Sequence, residues 1–290
     1  MGFKENLKIA LKGELEDDEL DLLPRGYQLI SNIIIIKLAP KLMEKKKLIA
    51  IKCMELVPKI RSVYLNSGKI KGTFRIPEKI EYLAGVNDPI IEHKEHGVIY
   101  KFDVTKIMFS KGNVNERKFL ATLVKPHEII VDMFAGIGYF SLPIAKHASP
   151  EKIYCIEINP IAFQFLVENI KLNHLEHIIV PINGDCKEEV IKLRQSNILA
   201  DRVIMGVFPA PKGYIPEALS LVNEEGTIYH YEGVIEKSKY RDLFKEFEEV
   251  ANLSNMSCSL INARFVKSYG PNLFHVVLDI KVMKNKLGFL

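Results

Sequence analysis

From Ser110 onward, short apolar runs alternate with amphipathic stretches of helical period. The pattern predicts strands at Ile129–Met133, Lys152–Glu157, Ile178–Asn183, Arg202–Val207 and Gly226–Tyr231, with helices at Tyr139–His147, Pro160–Asn173, Cys186–Gln195 and Tyr214–Ser220. Such alternation implies βαβ units and a parallel sheet. A further helix over Lys237–Leu253 leads to two long strand patterns, Ser257–Ser268 and Asn272–Met283, joined by Tyr269–Gly270–Pro271. A Gly-Pro corner between two such strands predicts an antiparallel hairpin.

The first 109 residues read differently. Six acids occupy the eight positions Glu14–Asp21, which predicts a solvated helix or a flexible arm there, within an acidic N-terminal arm over residues 1–23. Tyr27–Leu38 reads as a strand and Pro40–Val57 as a helix. Ser62–Leu65 and Lys69–Ile76 are short strands. Val86–Asp88, Ile90–His93 and Gly97–Asp103 suggest a hairpin turning at Lys94–Glu95–His96. Residues 24–109 therefore form a small α+β domain, and 110–290 form the larger α/β domain.

Composition narrows the class. The chain has 290 residues, 48% hydrophobic and 26% charged, the profile of a globular protein. No apolar run approaches the roughly 18 residues of a membrane helix, and Ile33–Ile36 reads as a buried strand. The N-terminus lacks the apolar core of a signal peptide, and Asn6 breaks a myristoylation pattern, so a cytoplasmic location without membrane contact is expected. The four cysteines, Cys53, Cys155, Cys186 and Cys258, are scattered with no CxxC pair, which speaks against zinc or a disulfide framework. Net charge is +4, but Lys37–Lys79 holds twelve Lys/Arg against three acids, +9, leaving −5 elsewhere. A segregated basic segment suits a polyanion such as nucleic acid.

The candidate chemistry sits at the ends of successive strands. The first predicted strand runs into Asp132–Met133–Phe134–Ala135–Gly136–Ile137–Gly138, where two glycines let backbone approach a ligand. The second ends at Glu157, 21 positions after Gly136, where an acid is suited to ribose hydroxyls. The third ends at Asn183–Gly184–Asp185–Cys186, where Asp185 can accept from an adenine amine and the Cys186 backbone can face the ring. These features fit a nucleotide. The terminal hairpin favours S-adenosylmethionine (AdoMet) over NAD, because a dehydrogenase usually continues with a sixth parallel strand. The expected fold is α/β, a class I methyltransferase Rossmann-like sheet with a C-terminal antiparallel hairpin, preceded by the small α+β domain.

The segments FSKGNVNERKFLATLVKPHEIIVDMFAGIGYFSLPIAK, CIEINP, ENIKLN, GDC and KSYGPNLFHVVLDI resemble the archaeal and eukaryotic enzymes that modify the purine at position 37 of tRNA. The resemblance covers roughly Pro24 to Val282, and Ser110–Lys118 is its most specific part. Two branches are implied, the guanine-N1 methyltransferases and the wybutosine-synthesis protein 2 aminocarboxypropyltransferases. In the first, an Asn-Leu-Pro corner follows the fourth strand; here Gly206 stands at that corner and cannot accept a side-chain hydrogen bond. The resemblance therefore implies transfer of the 3-amino-3-carboxypropyl group of AdoMet to 4-demethylwyosine in phenylalanine tRNA. No metal constellation is evident in the sequence, so no metal is expected; the sequence does not give the oligomeric state, and a monomer is favoured. Guanine-37 N1-methylation is the alternative, and a non-catalytic tRNA-binding module a second. Ser110 and Arg117 are expected at the methionine end of AdoMet, with Arg117 pairing its carboxylate. Asp132, Phe134, Gly136 and Gly138 form the turn, Glu157 takes the ribose, and Asp185 and Cys186 take adenine. His230, Tyr231 and Glu232, with Lys212 or Tyr214, are expected to face the base. No general base is evident.

Overall fold

The computed structural model describes residues 2–285, which divide into two units, 1–94 with 100–109, and 95–99 with 110–290. The acidic segment is folded rather than a loose arm. Helices Phe3–Ala10 and Asp17–Asp21 flank Leu7, Leu11, Leu15 and Leu23, all buried in a core with Ile34, Ile36, Ile49 and Val63. The leucines recur every four residues through Leu15, so one side of the segment is apolar although its acids face water. Burying each such side chain contributes about 1.5–3 kcal/mol. Asp18 also pairs with Lys41.

Strand Gln28–Ile30 turns back through Ser31, at φ 50°, into Ile33–Ile36, which pairs in parallel with Ser62–Asn66; Ile80–Gly85 closes this four-stranded sheet. The predicted single strand Tyr27–Leu38 is thus a hairpin, and the predicted helix Pro40–Val57 begins as a 3₁₀ turn over Pro40–Lys45 before becoming α-helical at Lys46–Leu56. Lys69–Ile76 yields only a two-residue pairing of Ile70–Lys71 with Ile76–Pro77. The basic stretch is partly neutralised within its own unit, because Lys41, Lys46, Lys52, Arg61 and Lys71 pair with Asp18, Glu81, Glu55, Asp88 and Glu78.

Strands Ile90–Glu95 and Val98–Asp103 form the next hairpin. Its turn is His96–Gly97, both at positive φ (49° and 77°), as a two-residue type I′ turn requires. The expected turn lay one residue earlier, so Glu95 is the last strand residue instead.

The second unit carries a seven-stranded sheet: β1 Ile129–Asp132, β2 Lys152–Glu157, β3 Ile179–Asn183, β4 Arg202–Met205, β5 Thr227–Glu236, β6 Met256–Gly270 and β7 Leu273–Lys284. The order across it is β3-β2-β1-β4-β5-β7-β6. The first five strands are parallel and β7 is antiparallel to both β5 and β6. This is the class I methyltransferase topology expected from the terminal hairpin. Strand order reverses between β1 and β4, which opens a ligand crevice beyond the carboxyl ends of the strands. The core beneath is apolar, with Val131, Met133, Val203, Met205, Tyr229, Tyr231 and Ile280 all fully or almost fully buried.

Candidate active site

The turn after β1 is built around two carboxylates. Asp132 is 1% exposed; its Oδ2 accepts from Ser141 Oγ at 2.6 Å and its Oδ1 from Phe134 N–H at 3.3 Å. Burial pushes its carboxyl up to about 7, with the Glu157 and Glu232 charges adding to the effect. Glu157, at the end of β2, accepts from Gly136 N–H at 2.7 Å through Oε2 and from Asn159 N–H at 2.7 Å through Oε1. Each carboxylate oxygen offers a second lone-pair direction, so the half-buried group keeps capacity for two ribose hydroxyls. Desolvation raises its pKa against the backbone N–H groups of Asn159, Gly136 and Ile158.

Gly136 sits at φ 58°, and a Cβ built there would lie 2.5 Å from Tyr139 Cε2. Gly138, at φ 93°, would meet Leu142 Cγ at 2.7 Å. Both positions therefore require glycine for backbone conformation and for space. The β2 terminus is tied to β3, since Asn183 Nδ2 donates to Glu157 O at 2.7 Å and Gly184 N–H at 3.2 Å.

Asp185 caps the helix Cys186–Gln195, its Oδ1 accepting from Lys187 N–H at 2.9 Å; its Oδ2 is left for a ligand amine. Cys186 is buried, and desolvation pushes its thiol up to about 12, so it is an apolar wall rather than a nucleophile. Phe134 meets the Tyr214 ring edge-on, with centroids 5.2 Å apart, and Lys187 Nζ lies 5.1 Å from the Tyr214 ring centroid. Tyr214 thus joins the Asp185 side of the site rather than Gly206, and with Phe134 provides an aromatic wall. The donor set, with its glycine cradle, ribose-compatible carboxylate and aromatic flank, fits the adenosine part of AdoMet.

The methionine end departs from expectation. Arg117, on helix Val114–Leu123, is 1% exposed and its fork is closed on Glu95, Nε to Oε1 and Nη2 to Oε2, both at 2.6 Å; Nη1 donates to Ser110 O at 3.0 Å. A guanidinium held bidentately by a buried carboxylate is not available to a second one. Its role here is to hold Ser110. The Ser110 hydroxyl instead accepts from Lys267 Nζ at 2.8 Å. Lys267 is half-buried, and desolvation holds its ammonium below the ordinary lysine range. Its stem crosses Gly112, where a Cβ would lie 2.5 Å from Lys267 Cδ. Sequence reasoning did not single out Lys267, although it lies in the KSYGPN segment.

Two of the base-facing candidates are structural. His230 Nε2 accepts from Arg202 Nη1 at 2.7 Å; since arginine only donates, Nδ1 carries the proton and donates to Asp279 Oδ1 at 2.6 Å. Burial pushes its pKa down to about 4, so it is a neutral core histidine. Tyr231 is fully buried and donates to Glu246 Oε1 at 2.6 Å. Lys212 is exposed, 3.8 Å from Glu246. Glu232 alone turns to the corner, with its Oε1 3.3 Å from where a Gly206 Cβ would stand. Among the described residues no group of three or more His, Cys, Asp or Glu is arranged to hold a metal ion, and no helix is long and apolar enough to cross a membrane.

The geometry agrees with comparisons to known proteins. The tRNA(Phe) (4-demethylwyosine(37)-C(7)) aminocarboxypropyltransferase of Pyrococcus horikoshii is 37% identical over 284 residues, 98% of this chain and 99% of the relative. The tRNA (guanine(37)-N(1))-methyltransferase Trm5b of Pyrococcus abyssi is 33% identical over 260 residues, 90% of this chain and 76% of that protein. A crystal structure of P. horikoshii TYW2 in complex with MeSAdo superposes with a TM-score of 0.80 at 34% identity, covering 98% and 100% of the two chains. A TYW2 N-terminal domain family model matches residues 7–88. Residues 91–261, more than half of the chain and the span that holds the glycine turn, Glu157, Asp185 and Gly206, match the TRM5/TYW2 methyltransferase domain, and the chain belongs to that family.

Proposed function

We propose that this protein is an AdoMet-dependent tRNA aminocarboxypropyltransferase. It moves the 3-amino-3-carboxypropyl group of AdoMet onto C7 of 4-demethylwyosine at position 37 of phenylalanine tRNA and releases methylthioadenosine. The observation that carries this reading is the end-to-end similarity to a relative of that activity, at 37% identity, whereas the guanine-N1 relative is matched over 76% of its length. Gly206 supports it from the site, since the position that carries an asparagine in the guanine-N1 branch has no side chain here to accept from a base nitrogen undergoing methylation.

AdoMet supplies electrophilic carbons on its sulfonium, and the carbon held in line with the nucleophile is the one that reacts. The chain's residues set that pose. In our reading, Glu157 accepts from the ribose hydroxyls while Gly136 and Gly138 let the turn approach the ligand. Asp185 Oδ2 accepts from the adenine amine beside Cys186, and Phe134 with Tyr214 excludes water from that side. Asp132 fixes the turn through Phe134 N–H and Ser141. Lys267 and Ser110 bind the methionine carboxylate and amine, and Arg117 fixes Ser110.

The small α+β domain expected over residues 24–109 is our proposed tRNA-contacting part; the exposed Lys45 and Lys47 favour phosphate contact there. A monomer in the cytoplasm, where tRNA is found, completes the proposal. The test is product analysis. The protein is incubated with AdoMet and precursor tRNA, then the modified nucleoside and the small product are weighed. Methylthioadenosine with a nucleoside heavier by one aminocarboxypropyl group is expected. Adenosylhomocysteine with a methylated guanosine would overturn the reading in favour of N1-methylation.

A further inference from the structure

The corner after β4 holds a buried carboxylate that the AdoMet contacts leave unused. Glu232 is 2% exposed, and its Oε2 accepts from His275 Nε2 at 2.9 Å. His275 is fully buried and its Nδ1 has no hydrogen-bond partner. Since a carboxylate oxygen only accepts, Nε2 carries a proton and donates it to Glu232. Phe208 packs on that ring at 4.6 Å between centroids, nearly perpendicular at 89°, and fixes its tilt. Gripped from one side, Glu232 presents Oε1 to Gly206, and the missing side chain there leaves a gap that a Cβ would narrow to 3.3 Å. No described residue donates a hydrogen bond to Oε1. The Glu232 charge also reaches Lys267 and Asp132, which bound the same end of the sheet.

We propose that Glu232, positioned by His275, is the base that takes the proton from the target carbon. The proposal rests on the aminocarboxypropyl reading above. In that reaction a ring electron pair forms the C7–Cγ bond while the Cγ–S bond breaks, and its pair stays on sulfur to give neutral methylthioadenosine. The ring then carries the positive charge and still holds the hydrogen on C7. Glu232 Oε1 takes that proton, the C–H pair returns to the ring, and the carboxylic acid later passes the proton to water. Glycine at 206 keeps the path between Oε1 and the ring open. Glu232 is the catalytic residue and His275 the positioning residue.

The test is single-turnover transfer with Glu232→Gln, Glu232→Asp and His275→Asn, on precursor tRNA bearing hydrogen or deuterium at C7. AdoMet affinity by calorimetry and thermal melts serve as controls. Glu232→Gln is expected to slow transfer about 100-fold or more, to bind AdoMet as the wild type does, and to develop an isotope effect well above that of the wild type, because proton loss becomes limiting. Glu232→Asp keeps the charge but withdraws it by one methylene, and is expected to lose rate and show the same isotope effect. His275→Asn is expected to lose less. Should Glu232→Gln fail to fold, the aspartate variant decides alone. Wild-type rates in a folded Glu232 variant, or a slowed rate with no change in isotope effect, would overturn the assignment while the wild type still forms methylthioadenosine. Adenosylhomocysteine from the wild type would overturn the functional reading, and this assignment with it.

Discussion

Replacing Lys267 with methionine separates the two cations that compete for the methionine carboxylate. The ammonium lies 2.8 Å from Ser110 Oγ and is half-buried. A unit charge beside a carboxylate at about 4 Å gains roughly 4 kcal/mol at an effective dielectric of 20. Desolvation of both groups offsets part of that, leaving about 1.5–3 kcal/mol for a charge-assisted hydrogen bond. Lys267→Met should therefore weaken AdoMet binding about 10- to 150-fold. Methylthioadenosine lacks the aminocarboxypropyl arm, so its affinity should be unchanged. Calorimetry with both ligands reads the difference directly. Burial holds the Lys267 ammonium below its ordinary range, and a bound carboxylate would raise it again. Wild-type affinity for AdoMet should consequently fall as pH rises through the depressed pKa, by more than the variant's. Arg117→Met should act otherwise: it strands Glu95 in the interior, at a cost of about 3–5 kcal/mol of stability. Equal loss for both ligands in Lys267→Met, or no loss for AdoMet, would refute the reasoning.

Glu157→Ala should weaken AdoMet and methylthioadenosine alike by about 10- to 150-fold, since both carry the ribose. A melt should also report about 1–3 kcal/mol for leaving Gly136 and Asn159 N–H without their acceptor. Asp132→Asn should raise the melting temperature at pH 8 and flatten its pH dependence. Burial pushes the folded carboxyl up to about 7 from the ordinary aspartate value of 3.8, so its stabilising contribution is present below about 3.8 and is lost as pH rises through 7, on the order of 4 kcal/mol at most. Gly206→Asn should cut aminocarboxypropyl transfer without efficient methylation, measured by weighing the nucleoside. Its Cβ would meet Phe140 Cε2 at 2.9 Å and Glu232 Oε1 at 3.3 Å, but it does not rotate the methionine arm.

The parallel half of the sheet was legible because it is buried. Strands such as Ile129–Asp132 and Arg202–Met205 read as unbroken apolar runs between helices whose ends carry their own caps, Asn159 before Pro160 and Asp185 before Cys186. The first unit was less legible where a reversal carries neither glycine nor proline. The turn at Ser31–Asn32 hides a hairpin inside an apolar run, with Ser31 taking positive φ without the glycine that usually marks it. Among site residues, Gly136, Glu157 and Asp185 announce themselves by spacing along successive βα units. Lys267 does not, because it reaches Ser110 from 157 positions away across the fold. His230 and Glu232 read as equals along one strand. They differ through their partners, Arg202 on β4 and Asp279 on β7 for one and His275 on β7 for the other.

The closed fork of Arg117 follows from the property that recommended it as a carboxylate ligand. A guanidinium is the best side-chain partner for a carboxylate because it offers two parallel donors, and in this unit the protein's own carboxylates have used that geometry. Arg117 closes on Glu95, Arg202 on Glu128 and Arg264 on Glu116 and Asp279. Arg117 and Arg202 are buried and Arg264 is part-buried; breaking any of these pairs would leave a charge without its counterion, so none can be lent to a transient ligand at low cost. Lys267 rests on a neutral hydroxyl instead. Exchanging Ser110 for a ligand carboxylate strands no protein charge, and the flexible lysine stem allows the small movement the exchange needs. A site that binds AdoMet and then releases methylthioadenosine on each cycle is better served by that single-point cation than by a closed fork, which is why we propose Lys267 rather than Arg117 for the methionine end.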